Sequence, residues 1–258
     1  RDYERFAKEA KEICKGRVYT DHLRRYAYGV DASCYSYLPK VVVKAEDERE
    51  VRRLIRLCQQ CGTPFTFRAA GSSLSGQCSS EDVLIVCNDG FKKMEVIDDG
   101  KALKCECGVI GSDANDLLKP YNRKIGPDPA TLATALVGGI LNNNSSGMCC
   151  GTAQNSYKTI RSIRVVLLDG SILDTSDQKS IDQFLKEKPQ MVEDILQLRK
   201  DILADEELTH LIHHKYKIKN TTGYGLNSLV DFEDIIDIIN HLFIGSEGTL
   251  GFVSEIVY

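Results

Sequence analysis

The sequence lacks the features that mark a membrane, secreted or nucleic-acid-binding protein. No apolar run approaches the roughly 20 residues that span a bilayer, and the charged start RDYERFAKEAKEICKG has a helical pattern unlike a signal peptide. A net charge of −4 and the absence of a long Lys/Arg block leave no basic field to attract nucleic acid. We therefore expect a cytoplasmic protein without a transmembrane segment, whose only membrane association would be peripheral, through redox partners.

The ten cysteines lack the spacing of an iron–sulfur or tetrahedral metal site. Cys58 and Cys61 form one CxxC pair near the end of a predicted helix, and no second pair exists to complete four ligands. Others lie inside apolar runs such as VLIVCN, where cysteine behaves as a small hydrophobe. Structural thiols are therefore expected and no metal is predicted, with a metal or redox role for the pair as the alternative.

Both common phosphate-binding signatures are also absent. There is no G-x-x-x-x-G-K-[ST] sequence, and no G-x-G-x-x-G opens a helix, so a dinucleotide fold of the Rossmann kind is not supported. What is present over residues 41–88 is a pattern of strand, helix, strand, small-residue loop and strand. This pattern predicts a βαβ unit with the loop at the carboxyl end of a strand.

Beyond residue 90 the patterns change towards antiparallel pairing. Strands are predicted on either side of a turn at residues 98–100, and Asp169-Gly170 is a strong hairpin signal. Helices are predicted over residues 2–14, 111–119, most of 180–216 and 233–240. Ser112 is the expected N-cap of the second of these helices.

Together these patterns predict an α+β fold of two subdomains. The first is a small α/β subdomain over residues 35–90, and the second is a larger subdomain over residues 91–258 with a mixed or antiparallel sheet and helices. Residues 1–34 are expected to form an N-terminal helical extension. Because the final residues FVSEIVY read as a strand, we expect the native protein to continue beyond residue 258.

Three segments combine small residues with amides or hydroxyls. They are RAAGSSLSG at 68–76, GGILNNNSSG at 138–147 and IGSEGTLG at 244–251. Glycine lets the backbone approach a ligand closely and frees N–H groups to point at an anion. One such segment alone is equally typical of a surface turn. Three separated segments instead predict a long ligand lying across both subdomains, and a dinucleotide has that length.

In order and spacing, these segments resemble the cofactor loops of the vanillyl-alcohol-oxidase (PCMH) type of FAD-binding domain. RAAGSSLSG resembles that family's R-G-G-G-T-S-x-x-G pyrophosphate loop, and GSEGTLG resembles its closing motif. PDP at 127–129, followed by VGGILNNNSSG, resembles its second FAD loop. The resemblance covers roughly residues 35–258, and it implies the two-subdomain fold of that family. Within the family the sequence is most similar to FAD-dependent D-2-hydroxy-acid dehydrogenases, a group that includes D-lactate dehydrogenase, the flavin-binding component of glycolate oxidase and D-2-hydroxyglutarate dehydrogenase.

The resemblance implies that backbone N–H groups of the first loop hold the diphosphate of FAD, with serine hydroxyls as further donors. The residues it implies at the cofactor are Arg68, Ala69, Ala70, Gly71, Ser72, Ser73, Leu74, Ser75, Gly76, Pro127, Asp128, Thr131, Gly138, Gly139, Asn143, Asn144, Ser145, Gly147, Ile160, Glu247 and Gly248. No histidine or suitably placed cysteine stands at the family's attachment point, so the FAD is expected to be non-covalent.

Three details of these loops leave alternatives open. Arg68 either screens the phosphate charge or pairs with a core acid. Ala69 and Ala70 replace glycines of the usual pattern, so they are expected at negative φ unless the backbone is strained. The second segment has the alternative interpretation of a helix start with polar caps.

KNTTGY at 219–224 resembles the family's R-x-x-N-T-G-Y segment, which meets the carboxylate of the hydroxy acid. Ile218 stands at the usual arginine position, so the role passes to a flanking lysine as a point charge. The candidate substrate residues are Lys219, Thr222 and Tyr224, with a purely structural loop as the alternative. His210, His213 and His214 share a helix face suited to a metal, but their charged surroundings favour a solvated helix.

The implied reaction is hydride transfer from the substrate Cα–H to flavin N5, with FAD carrying out the redox step. No residue of this sequence is assigned as the catalytic base. SSGMCCGTAQNSY resembles the branch fused to an iron–sulfur domain, so the expected partners are a small D-2-hydroxy acid and an electron acceptor or iron–sulfur domain. A cap and an iron–sulfur domain are expected downstream. Two alternatives stay open, a transferase of the alkyl-dihydroxyacetone-phosphate synthase type and a non-catalytic FAD-binding module.

Overall fold

Two β-sheets organise the fold in the computed structural model, which describes all residues 1–258. The nine strands are β1 (Val18–Tyr19), β2 (Val41–Lys44), β3 (Phe65–Arg68), β4 (Val83–Val86), β5 (Met94–Ile97), β6 (Ala102–Glu106), β7 (Ser162–Leu167), β8 (Ile172–Asp174) and β9 (Gly251–Val257). The first sheet has the order β1-β2-β4-β3, and the second has the order β5-β6-β9-β7-β8. The predicted change of character near residue 90 therefore coincides with the passage from one sheet to the other.

Eleven helices surround these sheets. They are α1 (Tyr3–Ile13), α2 (His22–Ala27), α3 (Glu48–Cys61), α4 (Gly111–Leu118), α5 (Val137–Asn143), α6 (Ser156–Thr159), α7 (Gln178–Glu187), α8 (Pro189–Ala204), α9 (Glu206–Lys215), α10 (Ser228–Asp231) and α11 (Ile235–Leu242). None of them has both the length and the apolar character needed to cross a lipid bilayer.

The predicted βαβ unit is confirmed in the first sheet, where β2, β4 and β3 run parallel. Asp47 caps the start of α3 by accepting a hydrogen bond from the Glu50 N–H, and Gly62 ends the helix in a left-handed conformation (φ 63°). The apolar face of α3 packs on the sheet together with α1, whose Phe6 and Ala10 are fully buried. The N-terminal residues thus contribute to the core of the first sheet, and β1 adds an antiparallel edge strand to it.

The second sheet is entirely antiparallel, and both predicted hairpins are confirmed in it. Its central strand is β9, the last strand of the chain, which lies between β6 and β7. A second core forms where α4, α5 and α11 pack on this sheet, with Leu141 and Ile256 fully buried.

Two local expectations are wrong. Ser112 is not the N-cap of α4: the helix begins at Gly111 after Ile110, whose extended backbone pairs with Leu136 in an isolated bridge. The second small-residue segment is not an open loop throughout, because its first part forms α5. The helix start of the alternative interpretation is therefore present, but its polar cap is not, since α5 follows the apolar Leu136 without a side-chain cap. Asn144 ends α5 in a left-handed conformation (φ 55°).

A polar cluster joins the two sheets. Glu48 at the start of α3 receives two hydrogen bonds from Arg164 of β7, at 2.8 and 3.0 Å, and one from the Ser254 hydroxyl of β9 at 2.6 Å. Arg52 of the same helix donates to the Gly170 carbonyl at 2.9 Å. These contacts hold α3 against the second sheet and so set the distance between the two halves of the molecule.

Candidate cofactor cleft

A cleft of about 450 Å³ is lined by residues of both sheets. The loop after β3 forms one wall, α5 and the residues after it form another, and the start of β9 closes the third side. Because β3 lies in a parallel array, its following loop is at the edge where open α/β sheets bind ligands. The three small-residue segments of the sequence therefore meet at one site.

The loop after β3 carries a run of free hydrogen-bond donors. None of the backbone N–H groups of Ala69 to Leu74 donates a hydrogen bond within the protein, and all six residues line the cleft. Ala69 and Ala70 have negative φ, as expected, whereas Gly71 and Gly76 are left-handed (φ 75° and 79°). Successive unpaired N–H groups around a concave turn form an anion-binding nest.

Arg68 lies beneath this loop with only 6 % of its surface exposed. Its guanidinium donates to the carbonyls of Tyr28 and Val30, at 2.8 and 2.6 Å. It forms a salt bridge with no carboxylate, so of the two alternatives for Arg68, pairing with a core acid is wrong. Its Nε is buried and has no partner. The loop thus covers a buried positive charge that has no carboxylate within salt-bridge distance.

The two glycines of α5 allow close packing. A Cβ at Gly138 would lie 2.7 Å from the Cys107 Cβ, and one at Gly139 would lie 3.3 Å from the Ala69 Cβ. Gly138 therefore brings α5 against the second sheet, and Gly139 brings it against the anion-binding loop. A side chain at Gly138 would collide with Cys107, whereas one at Gly139 would only press on Ala69.

A polar network crosses the cleft from α5 to the closing motif. Asn143 donates from Nδ2 to Glu247 Oε1 at 2.7 Å, and its Oδ1 accepts from the Ser145 hydroxyl at 2.8 Å. Burial raises the pKa of Glu247, while the hydrogen bond from Asn143 opposes this shift. Glu247 is also left-handed (φ 56°), a conformation that is uncommon for residues other than glycine.

Asp128 and Gly147 have a clear structural contact. The Asp128 Oδ1 accepts from the backbone N–H groups of Gly147 and Cys150, at 3.1 and 3.2 Å. Hydrogen bonding to the Cys150 side chain is the main reason that the pKa of Asp128 lies below its ordinary value. A Cβ at Gly147 would lie 2.0 Å from the Asp128 carbonyl oxygen, so this pair fastens the segment after α5.

Most of the residues predicted at the cofactor line the cleft, and a minority do not. Those that do not are Gly76, Pro127, Asp128, Asn144, Gly147 and Ile160. Other lining residues were not predicted from the sequence, among them Phe67, Cys87, Cys107, Ala130, Leu136, Ser146 and Phe252. Ser146 lies within the segment GGILNNNSSG, and Phe252 directly follows IGSEGTLG. Their positions next to predicted cofactor residues could therefore have indicated them. No sequence pattern indicated Cys87 and Cys107, because their position at the cleft depends on how the two sheets pack.

Lys219 is the only predicted substrate residue at the cleft. Its Nζ donates to the Ser146 carbonyl at 2.9 Å. Tyr224 instead pairs with the Thr249 hydroxyl at 2.7 Å, and Thr222 hydrogen-bonds to Asn220. The segment 219–224 therefore faces the cleft at its start, through Lys219, and makes structural contacts at its end, through Thr222 and Tyr224.

The cysteines and histidines form no metal centre, since no group of three or more potential ligands comes together. Cys58 and Cys61 are both buried and free, and burial raises the pKa of Cys58 to about 12. A buried neutral thiol of this kind behaves as a core residue.

The cleft fits a dinucleotide such as FAD. It offers six free N–H groups over a guanidinium without a salt-bridge partner, which suits a diphosphate. The Ser146 hydroxyl is buried without a partner, which is a cost that a ligand acceptor or donor would remove.

The class of protein follows from a match to the family described as FAD binding domain. The match covers residues 39–176, more than half of the chain, and the chain therefore belongs to this family. Two solved structures share its fold: alkyldihydroxyacetonephosphate synthase (TM-score 0.66, 19% identity, covering 100% of this chain and 40% of that one) and BBE-like 1 of Physcomitrella patens (TM-score 0.61, 12% identity, 98% and 43%). At these identities the likeness concerns the fold alone, and it confirms the predicted α+β FAD-binding architecture.

Particular relatives share more sequence. D-2-hydroxyglutarate dehydrogenase of Pantoea ananatis is 26% identical over 93% of this chain and 24% of its own length. Glycolate oxidase subunit GlcD of Bacillus subtilis is 24% identical (90% and 39%), as is D-lactate dehydrogenase of Archaeoglobus fulgidus (83% and 37%). The chain spans 24% of the length of the first of these relatives and 37–39% of the other two.

Proposed function

We propose that the chain is the FAD-binding part of a flavin-dependent oxidoreductase that oxidises a D-2-hydroxy acid of the lactate, glycolate or 2-hydroxyglutarate type. FAD as the ligand follows from the family. The observation that carries its placement is the run of free N–H groups above Arg68 in the cleft. The substrate class rests on three relatives, each of which is named as a dehydrogenase or oxidase of a 2-hydroxy acid.

In this proposal the diphosphate lies on the N–H groups of Ala69 to Leu74, and the hydroxyls of the loop serines add donors. A buried cation without a carboxylate partner is costly, and two phosphate charges above Arg68 would remove that cost. The other cofactor residues named from the sequence that line the cleft, from Thr131 to Gly248, would contact the remainder of FAD. The cofactor is held without a covalent bond.

When bound, FAD supplies the hydride acceptor for oxidation of the hydroxy acid. The chain would hold and orient it between the two sheets. Lys219 presents a positive charge at the cleft, where it would attract the substrate carboxylate. The electron acceptor or iron–sulfur domain, and a cap over the substrate, would belong to other parts of the complete protein.

The proposal is tested by titrating the purified chain with FAD and following flavin fluorescence. Saturable binding is expected at micromolar FAD, and the absence of binding would refute the placement. The complete protein is then mixed anaerobically with D- and L-lactate, glycolate and D-2-hydroxyglutarate. Bleaching of the flavin by glycolate or a D-acid, but not by the L-isomer, is expected; a bound flavin that no hydroxy acid bleaches would favour the non-catalytic module or the transferase.

A further inference from the structure

Glu247 is the only acidic residue among those that line the cleft. Two cations line it as well, Arg68 and Lys219. The remaining titratable side chains of the lining are three thiols, those of Cys78, Cys87 and Cys107. Burial raises the pKa of these thiols above the ordinary value of 9.0, so they stay neutral near neutral pH. The charge of the cleft at that pH is therefore set by one acid and two cations.

Neither cation pairs with the Glu247 carboxylate, since no salt bridge of the protein includes this residue. The Arg68 guanidinium donates to two backbone carbonyls, and the Lys219 ammonium donates to the Ser146 carbonyl at 2.9 Å. Burial raises the pKa of Glu247, and only the hydrogen bond from Asn143 opposes this shift. The ionised carboxylate is therefore stabilised by one neutral hydrogen bond and by no cation within salt-bridge distance.

The neighbours of Glu247 hold its carboxyl group in place. Its backbone is left-handed (φ 56°), and its N–H donates to the Asn142 carbonyl at 2.9 Å. Its Oε1 accepts from Asn143 at 2.7 Å, whereas Oε2 makes no hydrogen bond within the protein. From outside the cleft, the Tyr224 hydroxyl pairs with Thr249 of the same motif. A residue other than glycine keeps such a conformation only where its surroundings determine it. The carboxyl group therefore has a fixed position, and Oε2 is the atom free to carry a proton.

FAD changes the balance of charge in the cleft. Its diphosphate carries two negative charges, which match the positive charges of Arg68 and Lys219 only if Glu247 is neutral. An ionised Glu247 would add a third negative charge to the same cleft. Like charges in a site of low dielectric constant disfavour ionisation and so raise the pKa of a carboxyl group. Entry of the cofactor therefore favours the protonated form of Glu247.

We propose that Glu247 takes up one proton from solvent when FAD enters the cleft and stays a neutral carboxylic acid beside the bound cofactor. The proton lies on Oε2, which thereby becomes a hydrogen-bond donor, while Oε1 continues to accept from Asn143. The proton returns to solvent when FAD leaves. This inference rests on the placement of FAD in the proposed function, whereas the isolation of Glu247 from cations does not.

Uptake of a proton makes FAD affinity depend on pH. Glu247 is protonated with or without FAD at a pH below its pKa in the free chain, so the affinity there is constant. Above that pKa the free chain must gain a proton in order to bind, and the affinity falls as the pH rises. The fall is about tenfold per pH unit at its steepest, and it ends above the pKa of the complex.

Calorimetric titration of the chain with FAD, in two buffers of different ionisation enthalpy, counts the protons taken up. The wild-type chain is expected to take up a fraction of one proton per FAD near neutral pH. This fraction should decline as the pH is lowered towards 4.5, the ordinary pKa of the side chain, because Glu247 is then protonated beforehand. The same titrations give the FAD affinity at each pH. Binding without proton uptake and with constant affinity from about pH 5 to pH 8 would overturn the proposal.

Glu247→Gln supplies a neutral side chain of the same shape, which retains an oxygen to accept from Asn143. It should bind FAD without proton uptake, and its affinity at neutral pH should equal that of the wild type at low pH. The control is Glu255→Gln, which removes a carboxylate of β9 that pairs with Lys104 outside the cleft. This variant should take up protons like the wild type. Undiminished uptake in Glu247→Gln would assign the proton to another group and refute the proposal.

Flavin reduction in the complete protein keeps this proposal distinct from the proposed function. If hydroxy acids bleach the flavin but FAD binds without a proton, the oxidoreductase function stands and the role of Glu247 fails. If FAD binds with a proton that Glu247→Gln abolishes, yet no hydroxy acid bleaches the flavin, the role of Glu247 stands and the oxidoreductase function fails. A chain that binds no FAD at any pH would refute both.

Discussion

At the scale of single residues, Arg68 supports the cleft from beneath the loop that follows β3. It is buried, donates to two backbone carbonyls of residues 28–30 and supports the loop whose N–H groups face the cleft. Its Nε lies 3.4 Å from the position of a Cβ at Gly71, so the loop rests directly on the guanidinium. Arg68 therefore supplies positive charge to the site and also supports the conformation of the loop.

Replacing Arg68 should therefore weaken FAD binding. Arg68→Met is expected to lower the affinity for FAD at least tenfold, because a charged hydrogen-bonding group is worth about 1.5–3 kcal/mol. Arg68→Lys keeps the charge but loses the fork that bridges two carbonyls, and an intermediate affinity is expected. Fluorescence titration with FAD measures both. Wild-type affinity in Arg68→Met would show that the guanidinium is irrelevant to the cofactor.

Glu247 should make stability depend on pH. Burial raises its pKa above the ordinary value of 4.5, so the folded state holds the proton more tightly than the unfolded chain does. The contribution of this group to the free energy of unfolding is greatest at low pH and is lost as the pH rises from about 4.5 through the raised pKa.

The variant Glu247→Gln retains an oxygen to accept from Asn143 but cannot titrate. Its stability relative to the wild type should increase between pH 4.5 and neutral pH, as followed by urea unfolding of the FAD-free chain. A stability difference that does not change with pH would mean that Glu247 titrates as it does in the unfolded chain.

At the scale of elements, packing between α3 and the second sheet depends on the polar cluster of Glu48, Arg164 and Ser254. The side chains of Glu48 and Arg164 are 22% and 35% exposed, so the pair is only partly screened by water. Arg164 also approaches Asp174 at 3.5 Å. The cluster therefore holds the two walls of the cleft in position relative to each other.

Glu48→Gln is expected to lower the free energy of unfolding by about 1–3 kcal/mol, because it leaves Arg164 with a weaker partner and reduces the charge on the bond from Ser254. Urea denaturation measures the change. Glu9→Gln, which breaks an exposed pair with Arg5 on α1, is the matched control and should cost less than about 0.5 kcal/mol. Equal effects in both variants would contradict a special role for the cluster.

The two glycines of α5 should differ when changed to alanine. Gly138→Ala places a Cβ 2.7 Å from the Cys107 Cβ and should destabilise the fold by about 1–3 kcal/mol through overpacking. Gly139→Ala meets only the Ala69 Cβ at 3.3 Å, so it should fold well yet weaken FAD binding by narrowing the cleft. Thermal unfolding and FAD titration separate these effects, and the reverse order would refute this interpretation of α5.

At the scale of the whole molecule, the cleft joins two sheets that have separate cores. A ligand that contacts both walls should stabilise the folded chain as a unit. At a concentration of FAD one hundred times its Kd, the free energy of unfolding is expected to rise by about 2.7 kcal/mol. Calorimetric unfolding with and without FAD measures this gain, and FAD that binds without raising the unfolding temperature would contradict it.

Periodicity and turn chemistry were sufficient to predict much of the fold. The alternation of β2, α3, β3 and β4, and the hairpins at residues 98–100 and 169–170, depend on residues that are neighbours in the chain. The three small-residue segments could also be found in the sequence. Each of them needs glycine, serine or asparagine because of its own local backbone conformation.

Only the tertiary structure decided what depends on residues far apart in the chain. It placed β9 at the centre of the second sheet, directed Arg68 to carbonyls of the N-terminal segment and made Glu247 the only acid of the cleft. Local sequence determines the period and ends of each element because those follow from adjacent side chains. Strand order and the partners of a buried charge follow from how the elements pack together, which no local pattern encodes.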